Sequence, residues 1–312
     1  MKVLLAIDGS DASMSAVAAT AALPMPDGTT VEIVSVVPDS IAPEGSVWPN
    51  VIRVDPPADR DRILDDVAQR LLDVGGRIRV GDRTVQVRVL EGRPATEIVG
   101  EATRFGADLI VIGARGLSTV RRLLVGSVSS EVVDHAPCPV LVARRAAVDR
   151  VLWATDGSPD ADRVGEFFSE TGLFDQAQIS VASVPDPGIP WWTGITPVDG
   201  ATSIEFYADS IELATKRAMA TADAAAKRLG VTNTTATVAR SHGDVAGALL
   251  AEADACHADI VAVGARSLGT VRRWLIGSVS RAVLHHAQMS VLIVRPRVSA
   301  VPQREAEAAI AV

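Results

Sequence analysis

The sequence contains little cysteine, few aromatic residues and no long apolar run. Two cysteines, Cys138 and Cys256, occur among 312 residues, and aromatic residues make up 4% of the chain. A disulfide framework is therefore excluded as the main source of stability, and we expect free thiols in a reduced, cytoplasmic protein. No stretch reaches the roughly 18 apolar residues of a membrane helix. The first apolar run already ends at Asp8, so we expect no signal peptide.

Strong positive charge is also missing. The chain has 38 acidic and 30 basic residues and a net charge of −8, with a pI near 5.2. Binding to nucleic acid irrespective of base sequence requires clustered Lys and Arg that displace counterions from phosphate. The pairs Arg121-Arg122 and Arg272-Arg273 are too small to form such a cluster. We therefore expect neither a nucleic acid nor a membrane as a partner.

The sequence does contain an internal repeat. The segment Gly113–Ser129 reappears almost residue for residue as Gly264–Ser280, and Asp-Gly-Ser occurs both at 8–10 and at 156–158. Each unit has the size of an ordinary domain, which buries enough apolar surface to fold without disulfides or metal. We therefore predict three parts of the chain: a first domain over residues 1–145, a second over 149–297 and a flexible tail over 298–312.

Each unit alternates short apolar strands with helices. Val3–Ile7 is typical of a central parallel strand, and the Asp-Gly-Ser after it predicts a helix that ends at Ala22. The alternation predicts an α/β fold of two tandem, Rossmann-like domains, each a doubly wound, five-stranded parallel sheet with strand order 3-2-1-4-5. The other elements predicted in the first unit are the strands Val31–Val37, Thr84–Leu90, Leu109–Ile112 and Val140–Val142 and the helices Ala58–Leu72, Ala95–Phe105 and Ser127–His135. The strands predicted in the second unit are Val151–Ala154, Ile179–Val184, Thr235–Ala239, Ile260–Val263 and Val291–Val294.

The last strand of each unit is apolar throughout, yet each lies at a predicted sheet edge. An apolar edge requires a partner strand. We expect the two terminal strands to pair, either within one chain as a pseudo-twofold pair of domains or between two chains as a homodimer.

Two Pro-rich connections interrupt the repeat, Ser40–Pro57 with Trp48 and Pro185–Ala201 with Trp191-Trp192. We interpret them as surface loops or, alternatively, as a lid or a surface for an unidentified protein partner.

An acid and a glycine-rich loop are expected to meet at the carboxyl ends of strands one and four. In an open doubly wound sheet the ligand crevice lies there, where the strand order reverses. Asp8 follows the first strand and Gly113 the fourth. Gly113 and Gly116 would let main-chain N–H groups approach an anion, while Ser127 and Ser129 would add hydroxyl donors at a helix N-terminus. The sequence therefore predicts a phosphate-binding site.

The arrangement Gly-x-x-Gly, nine residues, then Gly-Ser, followed by Ala-Pro-Cys-Pro-Val-Leu-Val, resembles the nucleotide-binding motif of the universal stress protein family. The resemblance covers both units and identifies the chain as a tandem member. It implies ATP with Mg²⁺ as the ligand, with Asp8 and the main chain near Val36 at the nucleoside and Ala6 on the adenine side. The positions that match the phosphate-binding residues are Gly113, Gly116, Gly126, Ser127, Val128 and Ser129. The matching positions in the second unit are Asp156, Val184, Gly264, Gly277, Ser278 and Ser280.

One departure weakens the second site. Ser267 stands where the first unit has Gly116, and a serine held at positive φ costs on the order of 1 kcal/mol. Gly269 restores flexibility only two residues later. Arg115 and Arg266 lie inside the loops and are either phosphate contacts or solvated arginines. We therefore expect ATP to bind mainly in the first domain.

The sequence does not indicate an enzyme. The motif Gly-x-x-x-x-Gly-Lys-Ser/Thr is absent, and with it the lysine that reaches the outer phosphates, so at most weak ATPase activity is expected. The histidines lack the spacing of metal ligands, and we expect no metal site in the protein itself. The predicted function is a nucleotide-dependent regulator of the stress response in the cytoplasm. The alternatives are a nucleotide-free interaction scaffold of the same fold and an enzyme of adenylyl or phosphoryl transfer, for which no convincing catalytic set is present.

Overall fold

The computed structural model describes residues 1–38, 57–79, 81–114, 125–186, 200–240, 244–265 and 276–296. Within these ranges, strands and helices alternate in both halves of the chain. The elements of the first half are β1 (Lys2–Ala6), α1 (Asp11–Ala22), β2 (Thr30–Val37), α2 (Pro57–Ile78), β3 (Thr84–Glu91), α3 (Pro94–Phe105), β4 (Leu109–Gly113), α4 (Ser127–His135) and β5 (Val140–Ala143). Those of the second half are β6 (Arg150–Ala154), α5 (Pro159–Thr171), β7 (Gln178–Ser183), α6 (Gly200–Leu229), β8 (Thr234–Val238), α7 (Val245–Ala255), β9 (Ile260–Gly264), α8 (Ser278–His286) and β10 (Ser290–Val294).

All ten described strands form one sheet, in the order β3-β2-β1-β4-β5-β10-β9-β6-β7-β8. The strands are parallel within each half, and each half has the order 3-2-1-4-5 in its own numbering. The halves meet where β5 pairs with β10 in an antiparallel register that places Leu141 opposite Leu292. The α/β fold and the pairing of the two terminal strands within one chain are therefore confirmed.

The strands are apolar on both faces because helices cover both. In β1, Leu4 belongs to one core, together with residues of α3, α4, α7 and α8. Its neighbours Val3 and Leu5 belong to the other core, with residues of α1, α2, α5 and α6. Side chains alternate between the faces of a strand, so a continuous apolar run such as 3–7 supplies both cores at once.

Helix α2 runs further than its sequence suggests. The predicted end was Leu72, before two consecutive glycines, but the helix continues to Ile78, whose side chain is fully buried. A Cβ on Gly75 would lie 3.3 Å from Cγ1 of Val85. Glycine therefore lets the helix approach the sheet closely, which offsets its low helix propensity.

Several predictions fall outside the described residues: the tail over 298–312, Trp48 and the pair Trp191-Trp192. Cys138 is buried, Cys256 is partly buried, and no disulfide joins the two. Among the helices of the described ranges, none combines the length and the hydropathy needed to cross a membrane.

Candidate functional site

The turn after β1 is held by Asp8. Its Oδ1 accepts hydrogen bonds from the backbone N–H of Ser10 at 3.0 Å and from the Ser10 hydroxyl at 2.6 Å. Ser10 is the N-cap of α1, and its Oγ accepts the N–H of Ser13. An aspartate just before a helix can itself act as the N-cap. The structure assigns that role to Ser10, and it leaves the exposed carboxylate of Asp8 at the carboxyl end of β1.

The second half builds the same turn. Oδ1 of Asp156 accepts the N–H of Ser158 at 2.9 Å, and Ser158 is the N-cap of α5. Here a threonine, Thr155, precedes the acid, and its Oγ1 accepts the N–H of Gly157 at 3.1 Å. Asp8 and Asp156 therefore occupy equivalent places.

Gly113 and Gly264 are required by packing. A Cβ on Gly113 would lie 2.5 Å from the carbonyl oxygen of Ala12, in the first turn of α1. A Cβ on Gly264 would lie 2.3 Å from the carbonyl oxygen of Asp160, in the first turn of α5. The prediction that Gly113 lets main-chain N–H groups approach an anion stays a prediction. The structure adds a packing requirement, because only glycine lets each strand end against the backbone of the helix.

The N-terminus of α4 faces the same crevice. Gly126 is its N-cap and offers no side chain to bond the first N–H groups of the helix, which have no partner inside the helix. The hydroxyl of Ser129 donates to the carbonyl of Gly113 at 2.7 Å. In the second half, Ser280 donates to Gly264 at 2.8 Å. In this structure the Ser129 hydroxyl bonds the end of β4, and its role as a hydroxyl donor to phosphate stays a prediction.

These parts surround a cavity of about 110 Å³ in the first half. Of the residues predicted from the sequence, the lining includes Ala6, Asp8, Val36, Gly113, Val128 and Ser129. The apolar wall formed by Pro94 and Ile98 at the start of α3 was not predicted from the sequence. Its signal was present, because α3 follows a strand at the same sheet edge and its residues four apart share one face.

The equivalent cavity of the second half is larger, about 260 Å³. Its lining includes every residue predicted for that half, namely Asp156, Val184, Gly264, Gly277, Ser278 and Ser280. The register pairs Val34 with Ala6 and Ala182 with Ala154, so Ala182 stands where the first half has Val34. Val34 lines the first cavity, whereas Ala182 is not among the described residues that line the second. The sequence did not predict this difference.

Of the remaining predicted residues, two lie beside the first cavity and three lie outside the described residues. Gly126 and Ser127 lie at the N-terminus of α4, beside the cavity lining. Arg115, Gly116 and Ser267 lie outside the described residues, so the predicted loop contacts and the effect of Ser267 stay predictions.

Charge differs between the two crevices. The lining of the first includes one acid, Asp8. The lining of the second includes Asp156, Asp160 and Asp186, and Asp160 forms an ion pair with Arg163. Over the part of the chain that the structure describes, no group of three or more His, Cys, Asp or Glu side chains is arranged to hold a metal ion.

A buried pair of acids lies further along α3. Glu32 on β2 and Glu101 on α3 are 3% and 5% exposed. Arg104 Nη2 donates to Glu32 Oε1 at 3.1 Å and Arg104 Nε to Glu101 Oε1 at 2.8 Å. Burial and the neighbouring Glu101 raise the pKa of Glu32 to about 7, against the opposing effect of Arg104 and Arg88. The hydrogen bond from Arg104 lowers the pKa of Glu101.

Comparison with known proteins assigns this doubled architecture to a family. The model of the "Universal stress protein family" matches twice, over residues 1–144 and 147–295. The chain belongs to the universal stress protein family. Its two matches confirm the tandem arrangement that the repeat predicted.

Related sequences and solved structures agree with this family assignment. Universal stress protein YxiE of Bacillus subtilis (strain 168) is 32% identical over 147 residues, which is 46% of this chain and 98% of that protein. A universal stress protein of Thermus aquaticus is 32% identical over 151 residues, 46% of this chain and 97% of that protein. The crystal structure of a universal stress protein from Archaeoglobus fulgidus DSM 4304 superposes with a TM-score of 0.61 at 20% identity, and the match covers 94% of this chain and 98% of that one. That structure shares the fold over nearly the whole chain.

Proposed function

We propose that this universal stress protein binds ATP in its crevices, mainly in the first half, and that nucleotide occupancy controls an interaction with a protein partner in the cytoplasm. One observation carries the proposal. Each half places an apolar wall, a carboxylate after the first strand and an uncapped helix N-terminus around one cavity.

Each part suits one part of a nucleotide. The apolar side chains of Ala6, Val36 and Ile98 form a wall suited to a flat adenine ring. The exposed carboxylate of Asp8 can accept hydrogen bonds from ribose hydroxyls. The free N–H groups and positive end of the helix dipole at Ser127 and Val128 favour phosphate. The donor set therefore fits the ligand that the family resemblance implies.

Mg²⁺ would accompany the phosphates and offset their charge. Asp8 is the one acid among the described residues that line this crevice, and it would hold the ion through the bound nucleotide as the alternative to its contact with the ribose. Its Oδ1 already accepts two hydrogen bonds from Ser10. Oδ2 is then the oxygen proposed to face the ion.

The two halves are proposed to differ in affinity. The first half retains both glycines of its loop, Gly113 and Gly116, whereas the second has Ser267 at the second position. The second cavity is nevertheless the larger, with the same predicted residues in its wall. We therefore propose strong binding in the first half and weaker binding in the second.

Binding without fast hydrolysis is proposed. Among the described residues that line the two cavities, there is no lysine, arginine, histidine or cysteine to assist transfer of a phosphoryl group. Phosphoryl transfer depends on positioning and on cationic stabilisation of the transition state. The sequence also lacks the motif Gly-x-x-x-x-Gly-Lys-Ser/Thr, and we propose a binding protein with at most weak ATPase activity.

Isothermal titration calorimetry of the full chain with ATP and Mg²⁺ tests the proposal. Gly116→Ser copies the second half into the first and is expected to remove or weaken the tighter binding event. Asp8→Ala should weaken the same event, and its matched variant Asp156→Ala should weaken only the other. Absence of binding in the unmodified chain would refute the proposal and favour a nucleotide-free interaction scaffold.

A further inference from the structure

An arginine of the second half closes the C-terminal end of α4 in the first half. Arg295, the residue after β10, donates from Nη1 to the carbonyl oxygens of Asp134 at 3.0 Å and Ala136 at 2.9 Å. Its side chain crosses the junction of the halves, and the residue is 6% exposed. Burial at this depth holds the guanidinium in one place.

An arginine of the first half makes the corresponding contact with the last helix of the second half. Arg144, the residue after β5, donates to the carbonyl oxygens of Leu284 in α8 at 2.7 Å and Met289 at 3.3 Å. A further ion pair joins the two helices directly, with Arg281 Nη2 in α8 2.8 Å from Asp134 Oδ1 in α4. Each half therefore holds the C-terminal end of the other half's last helix.

These helices connect the junction to the crevices. The last carbonyls of a helix lack hydrogen-bond partners inside it and form the negative end of its dipole. A buried arginine supplies both the missing hydrogen-bond donors and a favourable positive charge. Helix α4 has nine residues, which at 1.5 Å per residue is about 13 Å. Its N-terminus, with Val128 and Ser129, lines the first cavity. A shift of its C-terminal end therefore moves the N–H groups proposed to bind phosphate.

We propose that Arg295 is a positioning residue for the nucleotide crevice of the first half, and Arg144 for that of the second. Each crevice is then held in its binding geometry by the opposite half. This inference rests on the proposed nucleotide binding. It implies that each crevice depends on a residue of the opposite half, and the ion pair between Asp134 and Arg281 also joins the two helices.

The experiment uses the full chain and measures ATP binding to one crevice at a time. Asp156→Ala leaves the first crevice to be titrated with ATP and Mg²⁺, and Asp8→Ala leaves the second. Arg295→Met is then added to each background, and Arg144→Met likewise. Arg295→Lys retains the positive charge near the carbonyls of α4. Arg228→Met removes an exposed arginine that pairs with Asp162 and serves as the control.

Each substitution is expected to weaken ATP binding in one crevice and not in the other. Arg295→Met should weaken ATP binding in the first crevice by about three- to tenfold and leave the second within about twofold. Arg144→Met should show the reverse pattern, Arg295→Lys should recover part of the loss, and the control should change neither crevice.

Three outcomes would overturn the inference. Equal weakening of both crevices by each variant would indicate general destabilisation, and unchanged binding would show that α4 and α8 keep their positions without the arginines. Lack of ATP binding in the unmodified chain would remove the proposed function as well, so the two failures are distinguishable. If Arg295→Met does not fold, the half-buried Arg144→Met provides the same test in the opposite direction.

Discussion

The buried acid Glu32 is expected to make the stability of the protein depend on pH between about 5 and 7. In the folded chain the pKa of this carboxyl is about 7, compared with 4.5 for an unperturbed glutamate. The first cause is burial, and the second is the adjacent Glu101. In the unfolded chain Glu32 loses its proton near pH 4.5, whereas in the folded chain it keeps the proton until about pH 7.

The direction and the size of the pH effect on stability follow from this difference in pKa between the folded and unfolded chain. Between these two pH values the folded state binds more protons, so the free energy of unfolding falls as the pH rises. A pKa difference of about 2.5 corresponds to about 3 kcal/mol once the pH exceeds 7, at 1.36 kcal/mol for each pKa unit. The loss of stability begins near pH 4.5 and is complete above pH 7.

Glu32→Gln is the decisive variant, because glutamine resembles the protonated acid and does not titrate. Urea unfolding of the variant and of the unmodified chain is followed by circular dichroism at half-unit steps from pH 5 to 8. The variant should be about as stable as the unmodified chain at pH 5 and more stable at pH 8, by up to about 3 kcal/mol. Glu32→Ser, which copies Ser180 of the second half, should follow the profile of Glu32→Gln with a constant offset. Parallel profiles for the unmodified chain and Glu32→Gln would refute the reasoning.

Three further substitutions test the packing of the strand ends and helices. Gly113→Ala places a Cβ 2.5 Å from the carbonyl oxygen of Ala12, so the chain should lose about 1–3 kcal/mol in urea unfolding; an unchanged midpoint would contradict the contact. Gly165→Ala places a Cβ 2.6 Å from Cη2 of the buried Trp153 and should lower the melting temperature, with a change in tryptophan fluorescence as the second readout. Ser129→Ala removes the hydroxyl that bonds the end of β4 and should cost about 1 kcal/mol, a loss that Ser129→Thr should partly restore if the hydrogen bond is responsible.

The sequence predicted best those elements whose signals are local. Helix α4 begins at Ser127 and ends at His135 in both the prediction and the structure, because Gly126 precedes it and a proline follows within a few residues. The pairing of β5 with β10 was also predictable, since two apolar edge strands in one chain each require a partner. Periodicity and terminal residues were sufficient for these features.

Other features depend on contacts between residues far apart in the chain, and local sequence patterns do not predict such contacts. The contact between Gly113 and Ala12 spans about a hundred residues, so the glycine was explained by its immediate neighbours alone. The bonds from Arg295 to α4 cross the junction of the halves, and the repeat, which places Arg144 and Arg295 at equivalent positions, does not show which carbonyls they reach.

The internal repeat also shows where the two halves respond differently to pH. The register pairs Leu4 with Glu32 and Leu152 with Ser180, so the buried acid of the first half has a serine as its counterpart. In the second half, Glu252 accepts a hydrogen bond from Thr237 at 2.9 Å. The raised pKa of Glu32 therefore has no equivalent at Ser180, which carries no charge. Acidification from pH 7 to 5 should consequently stabilise the first half relative to the second. Because one sheet joins both halves, hydrogen exchange in β1 and β2 compared with β6 and β7 would separate this local effect from a change in overall stability.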